Sequence, residues 1–171
     1  MLTKNATISE VQRGCCFSEA FRSATDIAKN GGVITGALEY GKNGVYLDGT
    51  NDYVTYPGSS NPLTSNFFSL VFEFSPAFAS DDGVNYFLMD TSNAGSRSVL
   101  YKSSSNALVF NVGGTGIFVT ANAAFKPYWK TNQRNVLEIS ARSGSIVMRL
   151  NGTQIDSGTT AFSSVAVANI Y

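Results

Sequence analysis

The carboxylates have the most capacity for chemistry in this sequence, and they are scattered. Glu73 lies between Phe72 and Phe74, and Glu138 between Leu137 and Ile139. Hydrolysis of a glycosidic bond takes two carboxyl groups flanking the scissile oxygen, one as acid and one as nucleophile or base. A lone glutamate between apolar neighbours does not supply that pair, and both residues read as solvent-facing strand positions. Asp81-Asp82-Gly83 sets two carboxylates beside a turn residue. Calcium asks for six or more oxygens, and no cage surrounds them in the sequence, so a solvated loop is expected. There is no histidine. Ser-His-Asp and Cys-His catalysis, His-ligated zinc and an ordinary neutral-pH titrating group are thereby excluded. Gly113-Gly114-Thr115-Gly116 has the glycines of a phosphate-cradling loop but lacks the following Lys-Ser/Thr and a helix to bind the anion, so it reads as a hairpin turn. Tyr53, Tyr56, Tyr128 and Trp129 sit near turns. Their amphipathic rings are the candidate ligand or partner surface, with core or rim packing favoured for Trp129.

Composition narrows the partners. Twelve Lys+Arg balance twelve Asp+Glu, so long-range attraction for a phosphate backbone or an anionic lipid is missing, and neither nucleic acid nor membrane is expected as a partner. No run approaches the roughly twenty apolar residues that cross a bilayer. The start, Met1-Leu2-Thr3-Lys4-Asn5-Ala6-Thr7, carries one lysine and then polar residues, so no secretory signal is expected. Asn5-Ala6-Thr7 and Asn151-Gly152-Thr153 then count as chance matches to a glycosylation acceptor. Cys15 and Cys16 are adjacent and cannot reach disulfide geometry with each other. One small buried hydrophobe and one free thiol are expected, with an intermolecular disulfide as the alternative.

The elements that must position these side chains are strands. Phe68, Leu70, Phe72 and Phe74 fall on one face while Ser69, Val71, Glu73 and Ser75 fall on the other, which is the period of a half-buried sheet. The same alternation recurs at Leu108, Phe110 and Val112, at Leu137, Ile139 and Ala141, and at Ile146, Met148 and Leu150. Asp48-Gly49-Thr50-Asn51, Gly113-Gly114, Ser143-Gly144 and Asn151-Gly152 separate these runs with residues that accept positive φ. Pro57, Pro62, Pro76 and Pro127 are expected at strand ends. Helical spacing is confined to the first third, with Ser18 as a cap and Asn30-Gly31 as a terminator. At 171 residues the chain has room for one core. Residues 1–23 are expected to form an arm or short helix and residues 24–171 an antiparallel sandwich.

Gly44-Val45-Tyr46-Leu47-Asp48-Gly49-Thr50-Asn51-Asp52-Tyr53-Val54-Thr55-Tyr56-Pro57 resembles the signature hairpin of the concanavalin A-like, laminin-G-like jelly-roll domains. Ala24-Thr25-Asp26-Ile27-Ala28-Lys29-Asn30-Gly31-Gly32-Val33 resembles their opening turn. Phe68-Ser69-Leu70-Val71-Phe72-Glu73-Phe74 resembles their central core strand, and Ile146-Val147-Met148-Arg149-Leu150-Asn151-Gly152-Thr153 their strand ending in Asn-Gly. The resemblance implies an all-β, two-sheet jelly roll. It implies a structural, strand-opening role for Trp129, and it marks Asp26 and Asn30 as a turn that in related domains holds a structural calcium ion. No cofactor is otherwise expected. Glycoside hydrolases of this superfamily cluster alternating Glu and Asp on one strand, and that pattern is missing here. After Ala168-Asn169-Ile170-Tyr171 the family continues with a further strand, so the arm or a neighbouring subunit is expected to complete an open sheet edge.

The expected function is therefore non-catalytic binding or assembly. A virion surface protein of the phage decoration, head-fibre or tail-fibre type, assembled in the host cytoplasm and packed against other subunits or copies of itself, is the leading expectation, with host glycans as a further partner. The alternative is an extracellular carbohydrate-binding module of a larger adhesin or secreted glycoside hydrolase.

Overall fold

A computed structural model describes residues 23–29, 31–41, 44–47, 52–57, 63, 67–91 and 97–163. Cys15, Cys16, Ser18, Asn30, Pro62, the turn at 48–51 and nearly all of the expected arm lie outside them. Ala24–Lys29 form helix α1, capped by Ser23, whose Oγ accepts the Asp26 amide at 3.1 Å. The helix stops where Gly31 takes φ 76° and the Gly31 and Gly32 amides donate to the carbonyls of Ala28 and Ile27. Four short strands follow: β1 (Val33–Thr35), β2 (Glu39–Gly41), β3 (Gly44–Tyr46) and β4 (Tyr53–Thr55). β1 pairs with β4 and β2 with β3, each antiparallel. The segments on either side of Asp48-Gly49, expected to form one hairpin, thus take other partners among the described residues.

The body is built from β5 (Phe67–Phe74), β6 (Tyr86–Asp90), β7 (Val99–Lys102), β8 (Leu108–Val112), β9 (Thr115–Thr120), β10 (Asn135–Arg142), β11 (Ser145–Leu150) and β12 (Thr153–Gly158). They make two antiparallel sheets with strand orders β12-β11-β10-β5 and β6-β7-β8-β9. Period-two hydrophobicity does here what it should. Phe68 and Leu70 from β5, and Leu137, Ile139, Ile146, Met148 and Leu150 from β10 and β11, are buried against Leu100, Leu108, Phe110 and Phe118 of the other sheet. Phe68 meets Phe110 edge to face across the sandwich at 6.1 Å between centroids. The sheets meet at a seam between β9 and β12, where the Thr120 hydroxyl donates to Asp156 Oδ2 at 2.6 Å. The all-β, antiparallel two-sheet sandwich is as expected.

Three local expectations need correction. Val109 is buried although the alternation of β8 turns it away from the core. Between β9 and β10 the chain makes helix α2 (Asn122–Phe125) and a 3-10 turn over Lys126–Tyr128. Pro127 therefore sits inside the first turn of a helix, where its missing N–H costs nothing, and Trp129 follows that turn instead of opening β10. Elsewhere the turn chemistry holds. Gly113 and Gly114 take φ 58° and 79° between β8 and β9, and Asn151 and Gly152 take 52° and 83° between β11 and β12.

Candidate functional site

One end of the sandwich is closed by the connection from β5 to β6, residues 75–85, and the groups that hold it come from far along the chain. The Trp129 indole donates to the Phe78 carbonyl at 3.1 Å, Thr131 Oγ1 to the same oxygen, Asn122 Nδ2 to Ser80 O and the Asn132 amide to Pro76 O. Behind this cap two asparagines stitch the preceding segment to the β11–β12 hairpin. The fully buried Asn135 accepts the Lys130 amide and donates to the carbonyls of Lys130 and Gln133, and Asn151 accepts the Val136 amide while donating to Tyr128 O.

The Asp81-Asp82 loop is exposed, as a solvated loop is expected to be. Both carboxylates are ion-paired, Asp81 with Lys126 and Asp82 with Lys102. Lys102 is only 1% exposed. Its ammonium also donates to Val84 O at 3.1 Å and lies 5.3 Å from the centroid of Tyr86 and 6.0 Å from that of Phe78, two rings stacked at 3.5 Å. The group is satisfied on every side. Burial pushes the Asp82 carboxyl up, but hydrogen bonds from Lys102 and Tyr86 outweigh it and leave the group below the ordinary carboxylate value. The hydrogen bond and charge of Lys126 hold Asp81 low as well.

The four aromatic residues singled out by sequence do not come together as one surface. Tyr56 is 3% exposed and belongs to the core with Val54. Tyr53 is exposed on β4, whose outward positions it shares with Thr55, opposite Thr35 and Val33. Tyr128 is exposed at the end of the 3-10 turn. Trp129 packs among Phe74, Phe78 and Phe125 with centroids 5.5 to 5.8 Å away, its N–H spent on the cap. Glu73 is exposed and pairs with Arg134, as its strand position requires. Asp26 pairs with Lys29 at 3.5 Å, and its expected companion Asn30 lies outside the described residues. No group of three or more acidic or cysteine side chains gathers among the described residues, and no helix there is long and apolar enough to cross a membrane.

A different surface is assembled on the solvent side of the β6–β9 sheet. Cross-strand partners share a face, so the pairs Phe87–Tyr101, Tyr101–Val109 and Val109–Val119 run one apolar row across all four strands. Phe87 and Tyr101 stack at 5.1 Å with an interplanar angle of 18°. Phe87 is 54% exposed and Val119 70%. Beside this row lies a mixed one, Asp90 opposite the buried Val99 and Val99 opposite Asn111. In an unbroken strand residues 87 and 90 would face opposite ways. A bulge between Phe87 and Met89 absorbs one residue and turns both outward. Arg97 spans the two rows. Its Nε donates to Asp90 Oδ1 at 2.8 Å, a second nitrogen donates to Oδ2, and its guanidinium carbon is 5.7 Å from the Phe87 centroid. The hydrogen bonds of Asp90 hold this guanidinium firmly protonated. The bulge breaks the alternation of β6, so no period in the sequence marks this face.

Strand order, core and outer face define an antiparallel two-sheet β-sandwich domain. Its resemblances to solved structures are resemblances of fold. Domain 4 of AbnA, a GH43 extracellular arabinanase from Geobacillus stearothermophilus solved in complex with arabinotriose, superposes with a TM-score of 0.58 at 21% identity, over 81% of this chain and 71% of that one. The receptor binding domain of the botulinum neurotoxin C/D mosaic serotype gives 0.63 at 13% identity, over 82% of this chain and 37% of that one. The binding domain of botulinum neurotoxin DC in complex with SialylT gives 0.60 at 16%, with coverages of 82% and 37%. The chain thus spans little more than a third of the neurotoxin binding domains. No protein-family model matches the sequence, and no curated protein matches it.

Proposed function

We propose that this chain is a non-catalytic recognition domain of the laminin-G-like, concanavalin A-like kind that holds a glycan on the solvent face of the β6–β9 sheet, displayed as an adhesive component of a virion surface. The observation that carries the reading is the exposed Phe87 ring stacked on the half-buried Tyr101, on a sheet whose other face is core. An exposed ring stacked on a half-buried neighbour leaves an apolar surface on the outer face, and a sugar's C–H face covers such rings while leaving its hydroxyls to polar neighbours. Domain 4 of the arabinanase with arabinotriose and the neurotoxin binding domain with SialylT support glycan recognition on this fold. The neutral balance of charge supports packing against protein neighbours in a particle more than attraction to nucleic acid or membrane.

A second reading, a carbohydrate-binding module of a larger adhesin or glycoside hydrolase, is favoured by the same arabinanase domain, which is one part of an extracellular enzyme. Size-exclusion chromatography with light scattering, run beside a glycan array, separates them. A stable homo-oligomer that binds glycan supports the displayed adhesin, and a glycan-binding monomer supports the module. A chain that binds no glycan in any oligomeric state contradicts both.

A further inference from the structure

Resting on the glycan reading of the same face, we infer that its ligand is an uncharged sugar and that Asp90 is the residue that makes it so. Among the described residues the two rows carry one anion, Asp90, and the one cation beside them, Arg97, is joined to it by two parallel hydrogen bonds. Both carboxylate oxygens are thereby engaged, and the fork of the guanidinium is turned towards the protein's own carboxylate. The other members of the two rows, Phe87, Tyr101, Val109, Val119, Val99 and Asn111, are uncharged. A sialylated or uronic ligand would have to displace Asp90 from Arg97 or bring an unpaired negative charge against it. A neutral sugar meets no such penalty. Its C–H face lies on the Phe87–Tyr101 rings, and its hydroxyls reach the outer lone pairs of Asp90, the remaining guanidinium N–H groups and the Asn111 amide. Lys102, the neighbouring lysine on β7, cannot supply a second cation. It points into the cap and is held there by Asp82.

The test is an array of matched neutral and sialylated or uronic oligosaccharides, followed by titration of the best neutral binder by NMR or calorimetry. The wild-type chain is expected to bind neutral members in preference to their acidic counterparts, with affinity nearly unchanged between low and high salt. Phe87→Ala and Tyr101→Ala should each weaken that binding roughly five- to tenfold, while Val71→Ala on the outer face of the other sheet leaves it unchanged. Phe87 is exposed, so its truncation keeps the fold intact. Asp90→Asn should release the guanidinium and raise binding of the acidic members relative to the neutral ones. Equal or stronger wild-type binding of acidic glycans, or no change in preference in Asp90→Asn, overturns the inference and leaves the glycan reading standing. Neutral binding that ignores both ring truncations overturns the assignment to this face. No binding to any member overturns the inference and the glycan reading together.

Discussion

Lys102 shows how much a single position can depend on a partner twenty residues away. By its place in β7 it points inward, in line with Leu100 and opposite Leu108, and a lysine there is tolerable only if its ammonium is met. The two halves of the pair are not equivalent, because Lys102 is enclosed while the Asp82 side chain keeps 23% of its surface. Asp82→Ala strands a buried cation and is expected to lower stability by roughly 3 kcal/mol. Lys102→Met fills the same space and lets Asp82 turn to water, at a cost of about 1 kcal/mol or less. Urea unfolding of the two variants checks the asymmetry, and equal losses would contradict it. The pH dependence follows from the same cluster. Asp81 and Asp82 titrate below their ordinary 3.8 in the folded chain. Their contribution is therefore complete above that value and drains away as the pH falls through the lower folded ones. The Tyr86 hydroxyl, hydrogen-bonded to Asp82, is raised above 10.0. Its contribution holds below that pH and is lost as the pH rises through the folded value. Unfolding midpoints should fall on the acid side, and Asp82→Ala should flatten that limb.

At the level of elements, the amide-carbonyl stop of α1 depends on Gly32. A Cβ there would lie 2.5 Å from Ile27 Cγ2, 2.7 Å from Tyr56 Cε1 and 2.8 Å from the Ile27 carbonyl oxygen. One of these is backbone and the other two belong to buried core residues, so none can step aside cheaply. Gly32→Ala is expected to cost about 1–3 kcal/mol, read as a lowered melting temperature, whereas Gly152→Ala meets no atom within 4 Å and should suffer only the strain of its positive φ. Elements were also where sequence reading succeeded and failed most clearly. Strands β5, β10 and β11 were legible because one face is core and the other water, so composition alternates with the backbone. The burial of Val109 on the outer side of its strand was hidden, since valine is at home on either side. The turn at 122–128 carries no amphipathic period long enough to see. The proposed glycan face was illegible for a related reason: Phe87 and Tyr101 come together only through strand pairing, and Trp129, the most conspicuous aromatic in the sequence, is committed to the cap.

For the molecule as a whole, one continuous core joins both sheets and takes in Ile27, Tyr56 and Phe162 from outside them. With no second core among the described residues, unfolding by denaturant should be a single cooperative transition seen alike by far-ultraviolet circular dichroism and by Trp129 fluorescence. Phe68→Ala removes the ring that touches both Phe110 and Phe162 and should shift that transition by roughly 3–5 kcal/mol without splitting it. Two separated transitions would mean that the sheets are not one unit. The bulge in β6 carries a consequence for how this surface can vary between relatives. Leu88 is the residue the ladder does not count, so a gene lacking its codon would encode a regular strand with Phe87 and Asp90 still facing outward. The strand can gain or lose one codon there without reversing its faces, while a single-codon change elsewhere in β6 that left the bulge in place would turn one side of the outer β6–β9 face into the core.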